Sequence, residues 1–431
     1  MDYPEVELLA IGAGPSNLAL AVAIEELAPA DFARKCLVVE QHEDIVWQRG
    51  MLLPWAQSQV SFLKDLVTMR NPRSRFSFIN YLYETQRLHD FINMSSFLPF
   101  RLEISSYLQW VARTLSQVQV QYGRRCMRVD VMRSATGEIT GWLVELSDGT
   151  VLTARNLVVG VGRDPHIPEV FRSLDKAKVI HSSEYADRVG ELDHAASLRV
   201  AVVGAAQSAA EMLWESYQRM PAAQCSMIMR TVGLGYYQTS QFTNELYFPS
   251  FTDTFYAAAP AARQRVLQEM RRTNYAGVTP ELLNMIYRQM YLERLTGQQR
   301  LRMIPSVDIT GTRMEADEVV LTLTEHLTGE QTELRCDVVM LGTGFERTLP
   351  ALTRTIAELV GVERFSVSRA YRAIMPPTVT AGCYLQGTNE ESHGIADSLI
   401  SVLAVRAGEI VDDLLASDPS TELLTSIPIP A

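Results

Sequence analysis

Near the start of the chain an apolar run, Val6 to Ile11, stops at Gly12-Ala13-Gly14-Pro15, and Leu18, Ala19, Val22, Ala23 and Leu27 then recur at helical spacing. That order predicts a strand, a tight turn and a helix. A second apolar run, Cys36 to Val39, ends on Glu40 and closes a parallel βαβ unit. The pattern returns further on: Val200 to Val203 are strand-like, Gly204-Ala205-Ala206 make a turn, and Ala209, Met212 and Leu213 open a helix. Two more apolar strands, within NLVVGVGRDPHIP (156–168) and CDVVMLGTGFE (336–346), end in glycines, as expected where a chain passes between two doubly wound units. The simplest organisation makes 1–165 and 335–431 one discontinuous domain, with 170–330 inserted into it. Residues 255–295 are helix-prone apart from a break near Asn274 to Pro280, and the tail TSIPIPA, with two prolines, is predicted to be loose. The stretch 47–82 fits neither period. It sets Lys64 between Phe62-Leu63 and Asp65-Leu66, which suits either a lined pocket or an ordinary loop lysine paired near Asp65; Arg70, Arg73 and Arg75 add local positive charge.

With 431 residues, 47% hydrophobic and 21% charged, the chain is expected to fold as two or three domains with a large core, which excludes a disordered or fibrous protein. The 39 Lys and Arg against 50 Asp and Glu leave a net charge of −11, arguing against a nucleic-acid partner. Five scattered cysteines (Cys36, Cys126, Cys225, Cys336, Cys383) suggest neither a disulfide framework nor a metal cluster, and fit a reducing cytoplasm. The acidic opening MDYPEVE is unlike a secretory signal, and no apolar run is long enough for a membrane span.

The first turn has the chemistry of a dinucleotide site. Gly12 permits the sharp turn, Gly14 allows a pyrophosphate to approach the backbone, and the helix N-terminus favours its charge. Glu40 suits a ribose hydroxyl, although Asn17 replaces the third glycine and a plain strand–turn–helix connection would share much of this pattern. The second turn is weaker, because Ala206 puts a methyl group where close approach is needed, and a purely structural turn competes with it. Arg230, following the strand-like Cys225 to Met229, would meet a 2′-phosphate and so select NADPH; alone it reads equally as a surface cation. Two such units without a P-loop, GxSxG or HExxH motif point to hydride transfer from nicotinamide to flavin.

MLLPWAQSQVSFLKDLVTMRNPRSRFSFINYL (51–82), GAAQSAAE (204–211), FTNELYFPSFTD (242–253), RTNYAGV (272–278) and SHGIADSLISVLAVRAGEI (392–410) together resemble the flavin-dependent N-hydroxylating monooxygenases of siderophore biosynthesis. Among these the L-ornithine N5-monooxygenases are most alike, and the lysine N6-hydroxylases are near relatives. The resemblance implies an α/β fold with two Rossmann-like domains, holding FAD and NADPH, and a smaller, mostly helical substrate region around 240–295. It also implies a cytoplasmic homotetramer without a metal.

The reaction so implied is hydroxylation of the terminal amine of ornithine by NADPH and dioxygen through a C4a-hydroperoxyflavin, feeding hydroxamate biosynthesis. By the same resemblance, Gly12, Gly14, Pro15, Glu40, Gln41, Trp47, Gln48, Gln59 and Cys126 fall on the FAD side, and Ser398, Leu399 and Ile400 run beside the isoalloxazine. Ala205, Ala206, Gln207, Ser208, Arg230, Asn274, Tyr275 and Ala276 fall on NADPH, while Lys64, Asn244, Glu245, Asn274 and Ser401 fall on the amino acid. Gln59, Lys64 and Asn274 would serve the reaction directly. The chain departs from the family's pattern at Ala205 and Ala206, at Gln48, at Ser58 and across Thr239 to Phe242. Other readings are a lysine or diamine hydroxylase, a related monooxygenase acting on carbon or sulfur, and a redox-inactive FAD-binding protein.

Overall fold

The computed structural model describes residues 3–238 and 240–417; the predicted loose tail TSIPIPA lies outside the described residues. Six strands form first: β1 (Glu5–Ile11), β2 (Cys36–Val39), β3 (Gln119–Gln121), β4 (Cys126–Arg133), β5 (Ile139–Leu146) and β6 (Val151–Val159). They lie in the order β3-β2-β1-β6-β5-β4, with β1 parallel to β2 and to β6, and with β4, β5 and β6 running as an antiparallel meander. The parallel register pairs Leu8 with Cys36 and Ile11 with Val39, so β1 and β2 end together beneath the first turn. The apolar runs Leu8–Ile11 and Cys36–Val39 follow from burial on both faces of the sheet. On one face, helix α1 (Pro15–Leu27) packs against the helix Leu403–Ala416 through Ala19, Val22, Ala23, Ala407, Ile410 and Val411, all buried. Small residues let these helices approach closely, and α1 is apolar on nearly every side because it is enclosed.

A second unit contains β7 (Val179–His181), β8 (Arg199–Val203), β9 (Gln224–Ile228), β10 (Leu301–Ile304), β11 (Val307–Glu315), β12 (Glu318–Glu325), β13 (Gln331–Cys336) and β14 (Val338–Leu341). Its main sheet is wholly parallel, in the order β10-β9-β8-β14-β7. Strands β11, β12 and β13 form a separate antiparallel sheet, which the sequence pattern had not announced. The expected return at residue 335 is displaced. Strand β14 pairs with β7 and β8, so the chain leaves the second sheet only after Leu341 and rejoins the first at β15 (Gly382–Leu385), parallel to β6. The apolar run of β14 is as suited to one parallel sheet as to the other, and only its partners decide.

The two glycine-ended segments do form the crossing. Pro165 bridges Phe345, His166 N–H donates to Gly344 O at 2.9 Å, and Glu346 N–H donates to Asp164 O at 2.8 Å, so both strands of the crossing run side by side. The helix-prone region resolves into Pro249–Ala257, Pro260–Asn274 and Pro280–Thr296, each started by a proline whose missing N–H costs nothing at a first helical position.

Candidate active site

At the first turn Gly12 has φ +91°, and a Cβ there would lie 2.8 Å from Gly160 O, so only glycine fits. A Cβ on Gly14 would meet nothing within 4 Å, and the N-terminus of α1, beginning at Pro15, carries no side-chain cap and no acidic residue in its first turn. Open space above uncapped helix N–H groups is what a pyrophosphate requires. Asn17, at the third glycine position, is fully buried: its Nδ2 donates to Ile11 O (3.0 Å) and Gly12 O (2.7 Å), and its Oδ1 accepts from Gln386 Nε2 (2.8 Å). It braces the turn from beneath. Glu40 accepts from Ala13 N–H at 2.8 Å through one oxygen and from His42 N–H at 3.0 Å through the other. Gly123 N–H donates to His42 O and Arg124 N–H to Glu40 O, which brings the approach to the half-buried Cys126 beside Glu40 and the exposed Gln41. Trp47, half-buried, donates its N–H to Ser105 Oγ, and the exposed Gln48 follows in a left-handed conformation.

A cleft opens between Pro15, Ser58, Val60, Phe62, Lys64, Leu66, Ile104, Leu108 and Ile400. It brings together residues from the first turn, the aperiodic stretch and the segment Ser398–Ser401. Lys64 is half-buried, and burial alone holds its ammonium below the usual lysine pKa; among the described residues it has no ion-pair partner. Asp65 does not serve it. The Asp65 carboxylate is buried and accepts from the N–H groups of Val67, Thr68 and Phe78 and from Thr68 Oγ1, at 2.6 to 2.9 Å. Lys64 makes no ion pair with Asp65, whose carboxylate is turned to nearby backbone N–H groups and to Thr68 Oγ1. A half-buried cation without a counter-ion calls for an anionic ligand.

Asn244 and Glu245 are exposed on a short helix and the turn after it, Gln241–Asn244 and Glu245–Tyr247. Tyr247 hydrogen-bonds Thr273, the neighbour of Asn274, and Tyr247, Met270, Ile395, Ala396 and Val402 share a small apolar cluster. This packing gathers the segments of Asn244, Asn274 and the buried Ser401, and Ser401 adjoins the cleft residue Ile400. Asn274 Nδ2 is buried without a hydrogen-bond partner, a donor awaiting an acceptor. Tyr275 OH lies 3.0 Å from Ser398 Oγ, and both bond Glu390, which pairs with Arg163 at 3.0 Å. Tyr275 thus ties the end of helix Pro260–Asn274 to the segment running past Leu399, while Ala276 is exposed.

The second turn is made differently. Gly204 needs its freedom, at φ +140° and with Gly342 O 2.5 Å from a Cβ, but Ala206 is the extended N-cap of helix Gln207–Arg219, so its methyl is tolerated by the backbone. Ala205 and Ser208 are half-buried beside it. Both ends of the Gln207 side chain are used: Oε1 accepts from Thr279 N–H (2.9 Å) and Nε2 donates to Glu211 (2.8 Å), leaving its backbone to meet a ligand. The helix start again lacks a side-chain cap and an acidic first turn, and Arg230 is exposed just past the end of β9. These features fit a second dinucleotide carrying an extra phosphate.

Three groups lay beyond the reach of sequence reasoning. Arg101 and Glu211, both buried, form a two-pronged pair at 2.8 and 2.6 Å that joins the first unit to the second. Arg406, fully buried, bonds Asp397 and donates to Ser16 Oγ at 2.9 Å, anchoring the loop before Ser398 to the first turn of α1. The third is Tyr237, whose OH donates to Gln59 Oε1 at 2.8 Å.

The model of the family described as L-lysine 6-monooxygenase/L-ornithine 5-monooxygenase matches residues 5–347. The chain is 38% identical, over 96% of its length and 89% of the relative's, to an L-ornithine N(5)-oxygenase of Arthrobotrys oligospora. Its fold matches the solved ornithine hydroxylase of Pseudomonas aeruginosa with a TM-score of 0.89 and 36% identity, covering 96% of this chain and 99% of that one. It also matches an ornithine N-hydroxylase of Kutzneria sp. 744, solved with reduced FAD, NADP+ and L-ornithine, with a TM-score of 0.88 and 34% identity, covering 95% and 99%.

Proposed function

This chain belongs to the L-lysine 6-monooxygenase/L-ornithine 5-monooxygenase family, and from that premise we propose that it hydroxylates the side-chain amine of L-ornithine with NADPH and dioxygen, supplying a hydroxamate siderophore or a related product. It is an FAD- and NADPH-dependent enzyme with two nucleotide-binding units. The first unit, made of the sheet from β1 to β6 with β15, holds FAD at the Gly12–Pro15 turn, with Glu40, Gln41, Trp47, Gln48 and Cys126 along the adenosine side. The inserted unit holds NADPH at Ala205–Ser208 and Arg230. Bound flavin, once reduced by NADPH, supplies the activated dioxygen.

The observation that carries the substrate is the unpaired, half-buried Lys64 in the cleft beside Pro15 and Ile400. Its ammonium binds the substrate carboxylate and regains, on pairing, the stability that burial takes from it. Asn274, with its unpartnered Nδ2, adds a donor, and Asn244, Glu245 and Ser401 complete the grip on the amino-acid head. The cleft walls Phe62, Leu66, Leu108 and Ile400 are apolar, and the only lining carboxylate, Asp65, is already committed. Such walls disfavour an ammonium ion and so favour the neutral amine that the oxygen transfer consumes. Diamines lack the carboxylate that Lys64 requires. No described helix is long and apolar enough to cross a membrane, and we place the enzyme in the cytoplasm as a homo-oligomer, a tetramer by family likeness.

The test is hydroxylamine formed from ornithine, lysine, putrescine and cadaverine with FAD and NADPH supplied. Ornithine should exceed both diamines. Lys64→Ala should raise the ornithine KM by about 10- to 100-fold, the worth of one charge-assisted contact, while NADPH oxidation without substrate stays near the wild-type rate. Equal loss of both rates would remove Lys64 from the substrate site.

A further inference from the structure

Strand β9 ends at Ile228, and the chain beyond Arg230 is laid along the segment following Asn274. Tyr236 bridges Val278, and Val278 N–H donates to Gly235 O at 2.9 Å. A Cβ at Gly277 would lie 2.5 Å from Tyr237 N, so the backbone of Tyr237 is seated by that glycine whatever its side chain does. From this seat in the second unit Tyr237 reaches the first and donates to Gln59 Oε1 at 2.8 Å. Burial holds the Tyr237 hydroxyl up to about 12 and the Glu211 charge adds a smaller push, so the hydroxyl stays protonated and able to donate at physiological pH.

We propose that Tyr237 is a positioning residue for Gln59: by occupying the amide oxygen, its hydroxyl fixes the amide so that the two Nε2 protons are the part of Gln59 presented to a ligand. An amide held by neither end can turn over and present oxygen where nitrogen was, since its two ends have nearly the same shape. The Tyr237 bond, made to Oε1, seats the side chain and favours that orientation, and it forms only while the second unit sits against the first. The inference rests on the reading that Gln59 lies at the flavin side of the site. It assigns Tyr237 a part in coupling, meaning the share of NADPH that yields hydroxylamine. In the coupled reaction NADPH, H+, O2 and the amine give NADP+, water and the hydroxylamine; in the uncoupled one NADPH, H+ and O2 give NADP+ and H2O2.

The holoenzyme is compared with Tyr237→Phe, Gln59→Ala and the double variant, measuring hydroxylamine and peroxide per NADPH, FAD content, thermal midpoint and the NADPH KM. Tyr237→Phe keeps the ring and its seat on Gly277. It should raise peroxide per hydroxylamine by about two- to tenfold, the factor one neutral hydrogen bond controls, with FAD content and thermal midpoint unmoved. Gln59→Ala should uncouple at least as much, and the double variant should match Gln59→Ala, because the two act as one unit. If Gln59→Ala uncouples and Tyr237→Phe does not, the positioning role is overturned while the place of Gln59 stands. Additive losses overturn it too, since Tyr237 would then act elsewhere. If neither variant uncouples, Gln59 is not at the flavin and the proposal falls with it.

Discussion

At the turn between β1 and α1 the backbone is held from below by buried groups: Asn17 bonds Ile11 O and Gly12 O, Gln386 holds Asn17, and Arg406 holds Ser16. At the turn after β8 no described side chain hydrogen-bonds the backbone of Gly204 in that way. Its neighbours are alanines in ordinary conformations, Gln207 is tied sideways to Thr279 and Glu211, and the cation Arg230 stands exposed. The same strand–turn–helix pattern is thus rigid and enclosed in one place and open in the other. That contrast suits a flavin retained through many turnovers and a nicotinamide that must exchange in each, and it arises from what packs behind the turn rather than from the turn itself.

Breaking the support of the first turn should have the largest effect. Arg406→Met leaves Asp397 charged and buried, which costs about 3–5 kcal/mol, so differential scanning calorimetry should show a lower midpoint and the purified protein should carry less than stoichiometric FAD. Full FAD occupancy in that variant would mean that the loop before Ser398 needs no anchor on α1. At the second turn, Arg230→Ala should raise the KM for NADPH by about tenfold and leave that for NADH unchanged, with the difference shrinking at high salt. Equal effects on both cofactors would take Arg230 off the 2′-phosphate. The smallest change is expected from Ala206→Gly. Glycine is a better N-cap than alanine, so the helix keeps its start, and removing the methyl should lower the NADPH KM by less than about threefold, sharpening how far the open turn depends on close approach.

Local patterns were legible wherever a residue's neighbours in sequence are also its neighbours in space. The run Val6 to Ile11, the turn at Gly12 and the helix after Pro15 needed only period and turn chemistry, and Arg230 could be placed at a strand end by counting. The aperiodic stretch was legible as an anomaly, and Lys64 within it as a charge out of place. What Lys64 does was not, because that depended on Asp65 turning to the N–H groups of Phe78, Val67 and Thr68. Only resemblance grouped Asn244, Asn274 and Ser401, and the segments that carry them pack together through Tyr247, Met270 and Val402, which no spacing joins.

The sequence alone therefore determined two nucleotide-binding turns, their order and the kinds of side chain available to hold phosphate and carboxylate, since these follow from hydrogen-bonding capacity and short-range periodicity. Only the tertiary structure decided that β14 belongs to the second sheet, that Arg101 and Glu211 neutralise each other across the two units, and that Lys64 is left without a partner. Each of these turns on which groups far apart in the chain are brought within about 3 Å in a water-poor interior, where a pairing made or missed changes the state of a charge.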